Sequence, residues 1–135
     1  MSDEEREVAG YSMPLPMPPG LNNRMFCMGR RMVLAKKYRE WKSAAVREIM
    51  DTFEHFDADY LPSDARYRVT MFFSFKDKRR RDIDGFAKPV LDAITESGVA
   101  WDDDHQVDEL MLYRAEVGRD EVLVFFESLK EGNRE

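Results

Sequence analysis

The sequence predicts an α/β (α+β) fold, in which a small mixed sheet packs with two helices in the order β-α-β-α-β-β. Two segments repeat apolar residues at intervals of three or four, which is typical of helices buried on one face. Between them, residues 66–75 alternate polar and apolar side chains, as a strand does when one face is buried. A length of 135 residues fits a single domain.

The segment before the first helix is rich in proline. In residues 11–19 each proline lacks a backbone N–H donor, so this stretch can form only an edge strand or an extended arm. Residues 20–23 (Gly-Leu-Asn-Asn) predict a turn. Residues 24–32 are basic and rich in methionine, with no clear period, and they predict a loop.

The two central elements have the clearest patterns. Residues 33–54 predict the first helix, and residues 66–75 predict the best strand, which runs into a basic loop. We expect the helix to bury a stripe made of Leu34, Tyr38, Trp41, Ala45, Ile49 and Phe53. We expect the strand to bury Tyr67, Val69, Met71, Phe73 and Phe75.

The last third of the chain predicts one helix and two strands. The helix covers residues 85–97 and ends at Gly98, which suits the left-handed conformation that follows many helices. Residues 106–117 and 121–127 predict strands, and we expect the short turn between them to join them as a hairpin.

The folded domain is expected to span residues 11–128, with flexible tails at 1–10 and 129–135. Cys27 is the only cysteine, so no disulfide can form within the chain. No apolar run approaches the ~20 residues needed to span a bilayer, and the acidic N-terminus does not resemble a signal peptide. These features favour a reducing, cytoplasmic setting and no membrane partner.

The charge is unevenly distributed. The net charge is −6, which by itself argues against a nucleic-acid partner. Basic residues nevertheless outnumber acidic ones within residues 24–88, and acidic residues dominate the rest. The basic middle could therefore face DNA while acidic ends face solvent, although acidic ends can also serve solubility alone.

Two groups of carboxylates flank the second helix. Asp82 and Asp84 precede it, and extended backbone would point both side chains to one side. Asp102, Asp103 and Asp104 precede the next strand, where a turn can return one or two of them to the first pair. Converging carboxylates repel each other unless a cation lies between them, and oxygen ligands favour Mg²⁺ or Mn²⁺ over zinc.

Lys88 lies four residues after Asp84, so a helical first turn would place its ammonium over the same face. It could neutralise charge that develops on a scissile phosphate, or it could form a plain surface ion pair. Asp92 continues this row and is the expected salt-bridge partner of Lys88.

The basic loop adjoins the first carboxylate pair. Such residues are often solvated surface, but beside a metal site they suit a polyanion such as DNA. The candidate DNA-binding residues are Lys76, Arg79, Arg80 and Arg81. Together the residues indicate a metal-dependent enzyme that acts on a phosphate polymer. A non-catalytic DNA-binding module, whose acidic residues cap helices and balance the arginines, stays open as the alternative.

The segment 79–84 (Arg-Arg-Arg-Asp-Ile-Asp), followed by Lys88 and by 91–94 (Leu-Asp-Ala-Ile), resembles the RusA family of Holliday-junction resolvases. Residues 103–107 (Asp-Asp-His-Gln-Val) are similar to that family's Asp-Asp-x-Gln-Val segment. Residues 16–23 are similar to its proline-rich opening with asparagines.

The resemblance covers about residues 11–127 and implies a RusA-like fold. It implies a homodimeric, Mg²⁺-dependent endonuclease, for which Mn²⁺ is a possible substitute. Such an enzyme nicks two opposed strands of a four-way junction during DNA recombination and repair, in a bacterium or a phage-infected bacterial cell. The residues it implies are Asp82, Asp84 and Asp104 as metal ligands, Lys88 as the catalytic lysine and Asp103 as an accessory acid.

Two positions depart from the family pattern. Gly85 stands where the family usually has Asn, which removes a hydrogen-bonding side chain beside the site. One extra residue lies between Gly98 and Gln106, so counting from the lysine selects Asp103 as the third ligand, whereas anchoring on Gln106 selects Asp104. We prefer Asp104, because a turn absorbs an insertion more easily than the start of a strand.

Two questions stay open from the residues alone. A metal-dependent nuclease for flapped or otherwise branched DNA would carry the same motifs, since branch shape is recognised by a whole surface. The dimer interface is not identified, and residues 25–28 and the paired strands are candidates for it.

Overall fold

The computed structural model describes residues 10–20, 25–28, 31–54 and 61–129, with the backbone alone at 25–28 and 31–34. Within these ranges no helix is long and apolar enough to cross a membrane. Short 3-10 turns, Ile83–Phe86 and Asp104–Gln106, precede the second helix and the fifth strand. The other elements are β1 (Gly10–Pro16), β2 (Met25–Met28), β3 (Arg31–Leu34), α1 (Lys36–Phe53), β4 (Arg66–Ser74), α2 (Ala87–Ser97), β5 (Val107–Arg114) and β6 (Glu121–Leu129).

The main sheet is mixed, with strand order β1-β6-β4-β5, and this confirms the predicted combination of a small mixed sheet with two helices. Strand β1 pairs antiparallel with β6 at one edge, as its prolines require. Strand β4 pairs antiparallel with β6 and parallel with β5. The parallel pair follows from the chain path, because α2 carries the chain from the end of β4 back to the start of β5.

The predicted hairpin between β5 and β6 is wrong, because β4 lies between these two strands. The connection at residues 115–120 passes over the carboxyl end of β4 instead. The backbone N–H of Ala115 donates to Phe73 O at 2.8 Å, and that of Gly118 donates to Phe75 O at 2.6 Å. A short connection with a glycine therefore crosses a strand here rather than reversing beside it.

The core lies between the helices and one face of the sheet. The predicted stripe of α1 is buried from Tyr38 to Phe53, and the alternate residues of β4 from Tyr67 to Phe73 are fully buried. One continuous cluster joins them to α2 and β6, so both helices cover the same face. Burial of this cluster removes the apolar surface that mainly stabilises the fold.

The prediction of a loop at residues 24–32 is wrong in part. Strands β2 and β3 pair antiparallel, with Met25 opposite Leu34, and α1 begins at Lys36 rather than at residue 33. Two strands of four residues are too short to impose a visible alternation on a Met-rich sequence. The predicted turn at 20–23 and most of both predicted tails lie outside the described residues.

The opposite face of the main sheet is open and partly apolar. Phe72 stacks on Tyr113 with ring centroids 5.0 Å apart and meets Phe125 edge-on at 5.8 Å. Tyr113, Phe125 and Met111 are all exposed. An apolar surface of this kind often marks a contact with another molecule.

Candidate active site

An open cleft of about 980 Å³ lies at the carboxyl end of β4. The segment after β1, one face of α1, the basic loop and the first 3-10 turn form its walls. The charged residues that line it are Lys37, Lys76, Arg79, Arg80, Arg81, Asp82, Asp84 and Asp120. Every predicted DNA-binding residue therefore lies in this cleft, beside two of the predicted metal ligands.

The basic loop is anchored through Arg81. Its guanidinium lies over the Phe75 ring at 5.0 Å from the centroid and donates to Asp77 Oδ1 at 2.9 Å. Arg114 lies at 5.6 Å from the same ring centroid and donates to Arg81 O at 2.7 Å. Hydrogen bonds from the Arg79 backbone and the Arg81 side chain hold the pKa of Asp77 below its usual value. Arg81 thus orders the loop, and its guanidinium is already engaged.

Two other cations of the loop are not held in this way. The side chains of Lys76 and Arg80 are exposed, and no side chain of the described residues pairs with either of them. An exposed cation without an ion-pair partner gives up no protein contact when it forms a charge-assisted hydrogen bond to a phosphate. These two residues are therefore available to bind a polyanion in the cleft.

Asp82 and Asp84 are exposed and line the cleft. Asp82 has extended backbone, but the first 3-10 turn begins at Ile83, so Asp84 lies inside the turn. The prediction of extended backbone through both carboxylates is therefore wrong at Asp84. Neither carboxylate has a hydrogen-bond or ion-pair partner among the described side chains. Two unpaired carboxylates beside a basic loop are suitable oxygen ligands for a hard cation.

Asp104 is bound differently. Lys88 Nζ donates to its Oδ2 at 2.5 Å, and Thr95 Oγ1 donates to its Oδ1 at 2.5 Å. Lys88 also pairs with Asp92 at 2.8 Å, which confirms the predicted partner, whereas no ion pair between the described Lys88 and Asp84 side chains is formed. Burial alone would raise the pKa of Asp104, but the hydrogen bonds from Lys88 and Thr95 outweigh it, so the pKa ends below its usual value.

Lys88 is held as a cation by the same contacts. The hydrogen bonds to Asp104 and then to Asp92 raise the pKa of Lys88 well above its usual value. Its ammonium therefore stays protonated at neutral pH. The side chain is nevertheless 64% exposed, although Lys88 is not among the residues that line the cleft.

Asp103 makes its hydrogen bonds within the turn that leads into β5. Its Oδ1 accepts from the His105 backbone N at 3.0 Å and lies 3.1 Å from His105 Nδ1. The Gln106 side chain accepts in turn from the Asp103 backbone N at 3.1 Å, which completes a capping box for the second 3-10 turn. The hydrogen bond from the His105 backbone is the main reason why the pKa of Asp103 lies below its usual value.

The three predicted ligands are not assembled into one cluster. Among the described residues, no three His, Cys, Asp or Glu side chains form a group that could hold a metal ion. Asp82 and Asp84 line the cleft, Asp104 does not, and the Lys88 ammonium occupies the coordinating edge of Asp104. The carboxylate oxygens of Asp82, Asp84 and Asp104 are the kind of ligand that a hard cation prefers. Asp104 could offer Oδ2 to a cation only if Lys88 released that oxygen.

Sequence reasoning missed several residues of the site. Lys37 and Trp41 reach the cleft from α1, and Arg114 supports the basic loop from β5. Thr95 had a signal, since it lies three residues after Asp92 and seven after Lys88, which places all three on one helix face. Lys37 and Arg114 had none, because distant segments bring them to the site.

Two comparisons with known proteins match the greater part of this chain. The model of the family described as "Endodeoxyribonuclease RusA" matches residues 16–125. The chain is also similar to a protein of Enterobacteria phage HK97 named "Crossover junction endodeoxyribonuclease rusA". The two are 30% identical over 108 residues, which covers 77% of this chain and 82% of the phage protein.

Proposed function

The chain belongs to the RusA family of endodeoxyribonucleases, and from this premise we propose that it resolves Holliday junctions by paired, symmetric nicks. One observation carries the proposal at the level of the site. Two unpaired carboxylates, Asp82 and Asp84, share a cleft with the unpaired cations of Lys76 and Arg80. This combination can bind the DNA backbone and at the same time hold a cation against it.

Nucleases of this family are metal-dependent, and we assign Mg²⁺, with Mn²⁺ as a substitute, to Asp82, Asp84 and Asp104. A bound divalent cation would acidify a water for in-line attack on the phosphodiester. The side chains of Asp82 and Asp84 would hold the cation in the cleft. Asp104 would complete the set once Lys88 turns toward the DNA.

Lys88 acts in this proposal as a fixed positive charge. Hydrogen bonds to Asp104 and Asp92 raise the pKa of Lys88, which favours a protonated ammonium rather than a general base. Its exposed ammonium, released from Asp104, would instead stabilise the charge that builds up on the scissile phosphate and the leaving oxygen.

Asp104 rather than Asp103 is the third ligand in this proposal. Asp104 faces α2 and meets Lys88, whereas Asp103 caps the 3-10 turn and pairs with His105. Asp103 is left with an accessory, structural role. The contact pattern supports the alignment that starts from Gln106.

The basic loop is the proposed contact with the DNA backbone. Lys76, Arg79 and Arg80 would bind phosphates, and Arg81, whose guanidinium pairs with Asp77, would hold the loop in place. Changing Lys76 or Arg80 to Gln should weaken junction binding whatever the DNA sequence, because each loses one phosphate contact. The slope of log K against log salt should become shallower by about 1 for each substitution. Fluorescence anisotropy over a series of salt concentrations measures this slope.

The matched control is Arg47→Gln, an exposed cation of α1 outside the cleft. Its slope should equal that of the wild type. An unchanged slope in both Lys76→Gln and Arg80→Gln would show that the DNA does not use this cleft.

A homodimer is the proposed assembly, because a junction needs two symmetric nicks and one chain provides one site. The open face of the sheet is the proposed contact between the two copies. Phe125→Lys should produce monomers in sedimentation equilibrium and abolish paired nicking. The fold should survive, because Phe125 is already 38% exposed.

Val117→Lys is the control for the dimer, since Val117 is 42% exposed but lies in the connection between β5 and β6. This substitution should leave the mass of the assembly in sedimentation equilibrium unchanged. A wild type that sediments as a monomer would refute the dimer itself, whereas a dimeric Phe125→Lys would refute only this interface.

The test of the function compares a labelled four-way junction with a flap and a linear duplex of the same sequence. We expect the wild type to nick opposed strands of the junction with Mg²⁺ or Mn²⁺, and to cut nothing in EDTA. Binding without nicking would favour the non-catalytic module. Equal cleavage of the flap would favour a broader branched-DNA nuclease. The proposed location is the cytoplasm of a bacterial or phage-infected cell.

A further inference from the structure

Both oxygens of the Asp104 carboxylate are engaged, and its Oδ1 is engaged by a neutral group. Oδ2 accepts from the Lys88 ammonium, while Oδ1 accepts from the Thr95 hydroxyl at 2.5 Å. The hydroxyl in turn meets Trp101 Nε1 at 2.6 Å. These contacts form a chain from Trp101 through Thr95 to the carboxylate.

The direction of this chain follows from the chemistry of its members. An indole N–H can only donate, and an ionised carboxylate can only accept. The single proton of the Thr95 hydroxyl must therefore point to Asp104, and an oxygen lone pair of Thr95 must face Trp101. A hydroxyl held from both sides in this way has one orientation.

The chain is anchored in the core. Trp101 is fully buried, and its ring meets Tyr67 edge-on at a centroid distance of 5.2 Å and Phe126 at 6.1 Å. A close-packed interior allows such a ring little displacement. The hydrogen bonds through Thr95 and Trp101 therefore fix the position of Oδ1 relative to the core, although Asp104 itself lies in a short turn.

We propose that Thr95 is a positioning residue that fixes the Asp104 carboxylate so that Oδ2 faces the cation of the active site. Lys88 is the cation bound to Oδ2 in this structure, and Asp104 would offer the same oxygen to the proposed metal. The inference rests on the proposed nuclease function, because that function requires the metal. Groups that orient a ligating carboxylate typically contribute 10- to 100-fold to metal affinity or activity.

The test uses Thr95→Val, Thr95→Ser and the full chain without DNA, with Mn²⁺ as the probe. Val keeps the shape of Thr but removes the hydroxyl, whereas Ser keeps the hydroxyl. We expect the dissociation constant for Mn²⁺, measured by calorimetry, to rise 10- to 100-fold in Thr95→Val and to stay within about threefold in Thr95→Ser. Single-turnover cleavage at saturating junction should show the same order, with unchanged junction affinity.

Ser97→Ala controls for the loss of a buried hydroxyl from α2, because Ser97 donates to Ile94 O at 2.6 Å and does not contact Asp104. It should bind Mn²⁺ as the wild type does, even if its melting temperature falls. Wild-type affinity in Thr95→Val, or equal weakening in Thr95→Ser, would overturn the positioning role while leaving the function intact. A wild type that neither binds Mn²⁺ nor cuts junctions would overturn the proposed function and the inference with it.

Discussion

Replacing Asp82 with Asn is expected to lower the rate of junction cleavage by about 10³-fold, because Asp82 is a proposed metal ligand and such a ligand contributes several kcal/mol to the stabilisation of the transition state. The fold should be unaffected, since Asp82 is exposed and has no partner among the described side chains. Junction binding should persist or strengthen, because one negative charge leaves a cleft that binds an anion. Single-turnover cleavage and anisotropy separate the two effects.

Asp84→Asn should behave in the same way, and the double variant should be scarcely worse than either single one, because ligands of one ion act as a unit. Asp51→Asn is the control, an exposed carboxylate of α1 outside the cleft. Cleavage by Asp82→Asn within about threefold of the wild type would show that this carboxylate holds no catalytic ion.

Side-chain burial explains which parts of the fold could be predicted. Helix α1 and strand β4 each bury one face, so their apolar residues repeat at the period of the element. The pairing of strands produces no comparable pattern in the sequence. The order β1-β6-β4-β5 depends on α2 carrying the chain back to start β5 beside β4, and on the connection at 115–120 crossing over β4. Short strands β2 and β3 were missed because four residues carry too little pattern.

The same distinction applies to the site. Asp82, Asp84 and the arginines beside them are contiguous, so their chemistry is visible in one segment. The contacts of Asp104 cannot be seen in one segment, because the packing of α2 and the core brings Thr95 and Trp101 to it. At Gly85, the main departure from the family pattern, an added Cβ would meet no described atom within 4 Å. A clash at Cβ therefore does not account for the glycine.

Replacing Lys88 with Met should lower the maximal cleavage rate by about 10²- to 10³-fold, because the positive charge that is proposed to stabilise the developing oxyanion is lost. Stability should change by less than about 1 kcal/mol, since the ammonium is 64% exposed and its ion pairs are screened by water. The Mg²⁺ requirement should not become more stringent as the rate falls. Removing Lys88 frees Asp104 Oδ2, so the Mg²⁺ concentration for half-maximal rate should fall or stay the same while the maximal rate drops.

This opposed change distinguishes a catalytic cation from a surface ion pair. Lys42→Met is the matched control, because Lys42 of α1 forms an ion pair with Glu96 of α2 at 3.0 Å, outside the cleft. It should leave both the maximal rate and the Mg²⁺ requirement unchanged. Lys88→Arg should recover only part of the rate, since a planar guanidinium cannot place a compact charge between Asp92 and Asp104. A full maximal rate in Lys88→Met at saturating Mg²⁺ would mean that Lys88 only neutralises its two carboxylates, and that transition-state charge is stabilised by the metal and the arginines of the cleft.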